Sequence, residues 1–335
     1  MIPQTQTIGT KQAWQISLAN VVKDPEELLK QLGLSNSLSV IESKLINKFP
    51  LKVPQNYINK MRYGDKDDPL LRQVFPLLDE SINVENYIAD PVGDSLALTS
   101  PGVLQKYHGR ALLVTTGACA IHCRYCFRRH YPYSDNNPLS SQWLETLAIL
   151  RSDTSITEVI LSGGDPLVLT DTKLATMVVD LEKIPHIKRL RIHTRLPIVL
   201  PERIDSLLLG WLKKTALQVI MVVHANHANE IDEAVANALD DLRHVGCQLL
   251  NQTVLLKGVN DNAEDLIDLS ERLNDVQVLP YYLHLLDPVA GASHFNVAEN
   301  IGITLIEKMR QNLPGYLVPR LVREQQGKQS KTIIS

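Results

Sequence analysis

Six short apolar runs rich in β-branched residues, each followed by an amphipathic stretch, predict an α/β fold made of parallel βα units. The runs are Ala111 to Thr115, Glu158 to Ser162, Arg189 to His193, Gln218 to Val223, Gln248 to Leu256 and Val278 to Leu286. Helix-like segments lie between them, among them 141–150, 171–181, 229–245 and 264–273. Six units fall short of the eight that close a TIM barrel, so an open partial barrel or a doubly wound sheet is expected. Either form places function at the C-terminal ends of the strands. The reactive residues fall there: TTGACAIHC, SGGDP, HTR and HANH follow the first four runs, Asn251-Gln252-Thr253 lies in the fifth, and the sixth runs out through His284 to Asp287. Polar loops are common, but six in register favour one site at one mouth.

The first hundred residues read as a helical extension. Asp24-Pro25-Glu26-Glu27 is a helix start, with a capping Asp, Pro at the first position and acids in the first turn, and Gly33 is a stop. Shorter amphipathic stretches, Leu38 to Asn47 and Tyr57 to Tyr63, are punctuated by Pro50, Pro54 and Pro69. The 335 residues suit two domains of about 150 residues each or one barrel-sized core with an extension. A net charge of −3 argues against a nucleic-acid binder. No apolar run approaches the ~18 residues of a membrane span, and the start, MIPQTQTIGTKQAW, lacks the pattern of a secretory signal. Four cysteines, three of them within eight positions, are a poor disulfide scaffold and point to a reducing cytoplasm.

Those three carry the chemistry. GACAIHCRYCFRRH (Gly117 to His130) contains C-x3-C-x2-C, and thiolates are the usual ligands of iron–sulfur clusters. Cys119, Cys123 and Cys126 would hold three irons of a cubane and leave the fourth without a protein ligand. Zinc, with His122 or His130 as a fourth ligand, is the rival. Cys247, at the head of the fifth run, reads as a buried structural thiol. His224, His227 and Glu230 need no second metal, because a helix starting near Asn229 with an Asn cap explains the segment.

C-x3-C-x2-C just after the first strand of a βα array resembles the radical S-adenosylmethionine (SAM) enzymes, in which SAM chelates the open iron. The resemblance therefore implies a partial (β/α)6 radical-SAM barrel with a helical N-terminal extension. SGGDPL (Ser162 to Leu167) is similar to the family's Gly-Gly-Glu-like turn, where Ser162, Gly163, Gly164 and Asp165 would contact SAM. YHGRALL, CRYCFRRH, SGGDPL, LNQTVLLKGVND and YYLHLLDPVAGASHF together resemble the lysine 2,3-aminomutases, from about Tyr107 to the C-terminus. They are most similar to the short branch that makes β-lysine for modifying elongation factor P. The implied organisation is an extension over 1–106, a barrel over 107–320 and a segment over 321–335 carrying the lysine that binds pyridoxal phosphate (PLP).

In register with that family, Lys331 is the Schiff-base lysine, with Lys328 as the alternative. Arg110 would hold the PLP phosphate, as suits a bidentate guanidinium. Arg128 would pair with the substrate carboxylate, and Asp287 and Glu324 would grip the distal ammonium of lysine. Gln252 would contact SAM, and Arg195 would reach its carboxylate. The implied reaction is conversion of L-lysine to β-lysine through a 5′-deoxyadenosyl radical and a PLP aldimine. It needs a 4Fe-4S cluster, SAM, PLP and an external one-electron reductant, and its product would pass to the ligase that modifies elongation factor P. Two acids suit a cationic substrate side chain and disfavour an aminomutase for glutamate. A non-catalytic iron–sulfur electron carrier would need neither SGGDP nor the C-terminal lysine.

Overall fold

The computed structural model of the chain describes residues 12–35, 49–136 and 142–335. Ten strands form one sheet in sequential order: β1 (Leu98–Ser100), β2 (Val103–Leu104), β3 (Arg110–Val114), β4 (Glu158–Ser162), β5 (Arg189–Thr194), β6 (Gln218–Val223), β7 (Gln248–Val254), β8 (Leu279–His284), β9 (Arg320–Arg323) and β10 (Thr332–Ile333). Strands β3 to β9 run parallel, and β1, β2 and β10 are antiparallel additions at the two edges. A doubly wound sheet reverses its strand order at a switch point. This sheet never does, so of the two expected forms it is the open partial barrel. Its edge strands β1 and β10 do not pair with each other.

The six apolar runs become β3 to β8, with limits within two residues of those read from the sequence. A seventh parallel strand follows. β9, Arg-Leu-Val-Arg, is only four residues long and charged at both ends, which hides it from a search for apolar runs. Strands β4 and β6 are buried almost throughout, as strands covered on both faces should be. β5 and β7 alternate instead. In β5, Leu190 and Ile192 pack into the core, while Arg191 and His193 line an interior cavity.

Eleven α-helices are described: α1 (Ala13–Ala19), α2 (Pro25–Gln31), α3 (Gln55–Ile58), α4 (Pro69–Arg72), α5 (Trp143–Ser152), α6 (Asp171–Glu182), α7 (Leu196–Val199), α8 (Ser206–Leu212), α9 (Glu233–His244), α10 (Ala263–Asp275) and α11 (Glu299–Asn312). Helix α2 starts as its sequence requires: the Asp24 side chain accepts from the Glu26 amide at 3.0 Å and Pro25 takes the first position. Gly33, two residues beyond its end, has φ +69°, a left-handed conformation that glycine adopts without strain. Tyr57 to Tyr63 is helical only to Ile58, and the stretch from Leu38 to Asn47 lies outside the described residues. Helix α9 begins later than expected. Its cap is Asp232, which accepts from the Val235 amide at 2.9 Å, and Asn229 sits in a preceding 3-10 turn.

The principal hydrophobic core lies between the sheet and its helices, and Trp14, Leu28 and Leu29 of the extension belong to it. A second core joins β8 and β9 to α10 and α11. Among the described residues no helix is long and apolar enough to cross a membrane.

Arg203, wholly buried, ties the extension to the barrel. Its guanidinium donates to the Leu167 carbonyl at 2.6 Å and to Asp171 at 2.9 Å, and it lies 4.5 Å from the centre of the Trp14 ring. Arg203→Ala leaves the Asp171 carboxylate buried without its cation, and should cost about 3–5 kcal/mol. Urea unfolding checks this as a lower midpoint at unchanged slope.

Candidate active site

The loop after β3 carries Cys119, Cys123 and Cys126, all free thiols at the wall of a cavity of about 650 Å³. Burial holds the Cys119 thiol well above the usual range, and burial together with Cys123 pushes Cys126 up to about 11. Such thiols ionise only when a cation replaces the lost solvation, which is what iron does. Among the described residues no three His, Cys, Asp or Glu side chains converge tightly enough for a single metal ion. His122 and His130 are engaged elsewhere, with the carbonyls of Pro50 at 2.8 Å and Ala290 at 3.0 Å.

The arginines of CRYCFRRH are not a solvated run. Arg124 and Arg129 both donate to Glu80 of the extension, at 2.7 and 2.6 Å, with the Phe49 ring beneath both guanidinium groups. Arg128 donates to Asp94 at 2.6 Å and to the Ser162 hydroxyl at 3.0 Å, leaving its remaining N–H groups for the cavity that it lines. The loop is thus held in place by charge.

The Gly163-Gly164 turn meets this loop at the closest possible range. A Cβ on Gly163 would stand 2.5 Å from the Thr116 carbonyl oxygen, and one on Gly164 would stand 2.3 Å from that of Ala118. Gly163 also has φ +124°. The Gly164 and Asp165 amides donate to those same carbonyls at 2.6 and 2.8 Å. The glycines are there to seat the cysteine loop against β4. Asp165 is spent on the same scaffold: its carboxylate accepts from the Leu167 amide at 3.0 Å, the Thr194 hydroxyl at 2.7 Å and the Arg195 amide at 2.7 Å. Burial pushes its pKa up to about 6, although these bonds work the other way.

Arg195, the residue expected at the SAM carboxylate, also lines the cavity. Its guanidinium lies behind the cysteine loop, donating to Cys123 Sγ at 2.7 Å, Gln73 at 2.6 Å and Glu230 at 2.8 Å. Nη1 and Nη2 are thus engaged with protein groups, while Nε is buried with no hydrogen-bond partner among the described residues. Gln252 faces the cavity and donates to His224 Nε2 at 2.8 Å.

At the far edge of the sheet, β10 pairs with β9 and brings Lys331 into the same cavity, which Lys328 does not line. Lys331 Nζ donates to Glu324 Oε2 at 2.5 Å, and the Tyr107 hydroxyl donates to Glu324 Oε1. Burial opposes ionisation of Glu324, yet Lys331 and Lys106 outweigh it and hold the carboxyl below its usual range. Asp287 is pushed up to about 7 by burial, against the pull of Lys331. Arg110 faces the cavity over the Tyr107 ring at 4.9 Å and makes no ion pair among the described residues. The three cysteines, Arg110, Arg128, Ser162, Gly163, Gly164, Asp165, Arg195, Gln252, Asp287, Glu324 and Lys331 all line this one cavity, whereas Lys328 and His130 do not. Cys247 does not; it lies in the principal core.

Three histidines escaped the sequence reading as a set. His193, His224 and His284 line the cavity, and burial keeps all of them neutral, His224 at about 3. His193 Nε2 and His284 Nε2 are buried with no hydrogen-bond partner, so polar groups there await a ligand. The signal was present: each stands at a strand's C-terminal end. Tyr281 and Tyr282 were missed for another reason. The register of β7 against β8 slips between Asn251 and Gln252, and this bulge turns two successive side chains into the cavity with their rings 3.7 Å apart.

The sequence pattern of the Radical SAM superfamily matches residues 113–270. The L-lysine 2,3-aminomutase of Escherichia coli is 45% identical over 98% of this chain and 96% of its own length. This chain belongs to the L-lysine 2,3-aminomutase family. That of Haemophilus influenzae is 44% identical, over 99% of the chain and 98% of its own length. The Clostridium subterminale protein is 31% identical over 95% of the chain, which spans 77% of that longer protein. Membership implies a four-iron cluster and SAM, and lysine 2,3-aminomutases use PLP as well. The donor set fits: three soft thiols for iron, a lysine amine and an unpaired arginine for an aldehyde phosphate, and orphaned histidine nitrogens between them.

The glycine contacts carry a sharp expectation. Gly164→Ala should fold but lose most of its iron after anaerobic reconstitution, because the cysteine loop can no longer seat. Gly210→Ala, where an added Cβ meets nothing within 4 Å, should retain it. Iron and sulfide analysis alongside thermal melting separates the two.

Proposed function

We propose that the protein converts L-lysine to β-lysine, with Asp287 and Glu324 recognising the distal ammonium, Arg128 the carboxylate and Lys331 carrying PLP. The observation that supports this most directly is that Glu324 already accepts a hydrogen bond from a lysine ammonium, that of Lys331, beside a second carboxylate at the wall of the cysteine cavity. When bound, the reduced cluster and SAM supply a carbon radical that removes hydrogen, and PLP supplies a π-bonded carrier for the migrating nitrogen. The protein's own residues orient and insulate. Arg128, pinned by Asp94 and Ser162, offers a rigid cation at one place, and the two acids offer negative charge at another. A substrate held at both ends presents one carbon to the radical. The neutral histidines and the tyrosine pair line the walls without adding charge that would draw in water.

We place the protein in the cytoplasm, where its thiols stay reduced. We also propose that its product is consumed by a ligase modifying elongation factor P. The likeness to the shorter relatives supports that assignment.

The deciding experiment is anaerobic incubation with iron, sulfide, SAM, PLP, a reductant and L-lysine, followed by chiral analysis for β-lysine. No β-lysine from protein with full cluster and PLP content would overturn the reading. Asp287→Asn should raise KM for lysine about ten- to a hundredfold, as loss of a charge-assisted hydrogen bond worth about 1.5–3 kcal/mol implies, with cluster and PLP content unchanged. Because Asp287 is neutral below its pKa of about 7, wild-type KM for lysine should climb as pH falls through that value. The Asp287→Asn profile should be flat across the same range. Lys331→Ala should lose the visible absorbance of bound PLP while keeping its iron, and Lys328→Ala should keep both.

A further inference from the structure

Behind the cysteine loop lies a buried polar network that the proposed reaction does not use. Arg195, 6% exposed, stands at its centre. One edge of the guanidinium meets Glu230, Gln73 and the Tyr57 hydroxyl, the last at 3.1 Å. The rings of Tyr57 and Tyr125 lie 5.4 and 5.7 Å from its carbon. Glu230, wholly buried, is fixed in turn by the amides of Asn226 at 2.8 Å and His227 at 3.2 Å and by the Gln73 side chain at 3.1 Å. The remaining edge of the arginine points Nη1 at Cys123 Sγ, 2.7 Å away. Nη2 thus serves three acceptors and Nη1 the sulfur, which fixes the plane of the guanidinium, while Nε is buried with no partner among the described residues.

We propose that Arg195, held in place by Glu230, sets the reduction potential of the iron–sulfur cluster through its hydrogen bond to the Cys123 sulfur. This rests on the reading of the three cysteines as cluster ligands. An electron entering the cluster spreads negative charge over its sulfurs. A fixed N–H donor and a permanent positive charge beside one of them stabilise the reduced form more than the oxidised form, and raise the potential. Arginine suits this where lysine does not, because its planar fork grips Glu230 and Gln73 with one edge and aims the other. Glu230 opposes the charge and secures the aim. Arg195 is a positioning and tuning residue, and touches none of the reacting atoms.

The test is a potentiometric titration, followed by electron paramagnetic resonance, of anaerobically reconstituted protein without SAM, PLP or lysine. Arg195→Gln should make reduction about tenfold less favourable, a shift of ~59 mV to more negative potential for a one-electron couple. Glu230→Gln should shift it the opposite way, since the cation loses its counter-charge. Opposite signs would not arise from a merely structural role. An unmoved midpoint in Arg195→Gln with full iron content overturns the inference. Should that variant not retain iron, Arg195→Lys decides: a midpoint more negative than wild type supports the aimed hydrogen bond, and an unmoved one overturns it. A Cys123→Ala protein that assembles the wild-type cluster would instead overturn the reading of the cysteines.

Discussion

A chain of alternating charge spans the open side of the barrel: Arg128, Asp94, Lys106, Glu324 and Lys331. The sheet does not close on itself, so its first and last strands have no ladder between them. Asp94, Lys106 and Tyr107 precede β3, whereas Glu324 and Lys331 lie in the connection between β9 and β10. Glu324 touches both groups, and so joins residues more than two hundred positions apart. In a sheltered cavity such pairs interact more strongly than on the surface, but each ion also resists leaving water. Alternation resolves the conflict, because every buried charge has an opposite neighbour. The same chain that draws the edges together sets the electrostatics in which a substrate is held.

The cysteine loop is governed by shape as much as by charge. The Gly163-Gly164 turn allows backbone to touch backbone on the β4 side, and the Glu80 carboxylate draws Arg124 and Arg129 in on the other. The N-terminal extension is thus part of the centre. It supplies Glu80, Phe49, Gln73 and Tyr57, and Lys52 donates to the Cys119 carbonyl. A barrel without that extension would leave the cysteine loop seated on the β4 side alone.

Much of this was legible in the sequence. Strands β3 to β8 announce themselves because buried parallel strands must be apolar and branched, and the ligands follow them because strand ends face the mouth. What stayed hidden depends on partners distant in the chain. β9 is too short and too charged to stand out, and becomes a strand because β8 lies beside it. Arg195 reads as a partner for the SAM carboxylate, and its bonds to Cys123 and Glu230 emerge only with the fold. Nothing in the sequence around Arg124 and Arg129 points to Glu80, 44 and 49 positions away. The cap of α9 moved from Asn229 to Asp232 because the Glu230 side chain turns back to the amides of Asn226 and His227, which favours one tight turn before the helix.

The bulge in β8 bears on how this cavity can change over time. An extra residue in a regular strand reverses the facing of everything after it. Here Asn251 pairs with Pro280 and Gln252 with Tyr282, so Tyr281 is absorbed without disturbing the parity of its neighbours. Pro280 and Leu283 remain packed outward, and Tyr282 and His284 remain inward. The cavity therefore gains a second phenol outside the frame that the rest of the sheet obeys. Descendants of this sequence can enlarge, shrink or repolarise that wall at position 281 while the strand order, the cysteine loop and the charge chain stay as they are.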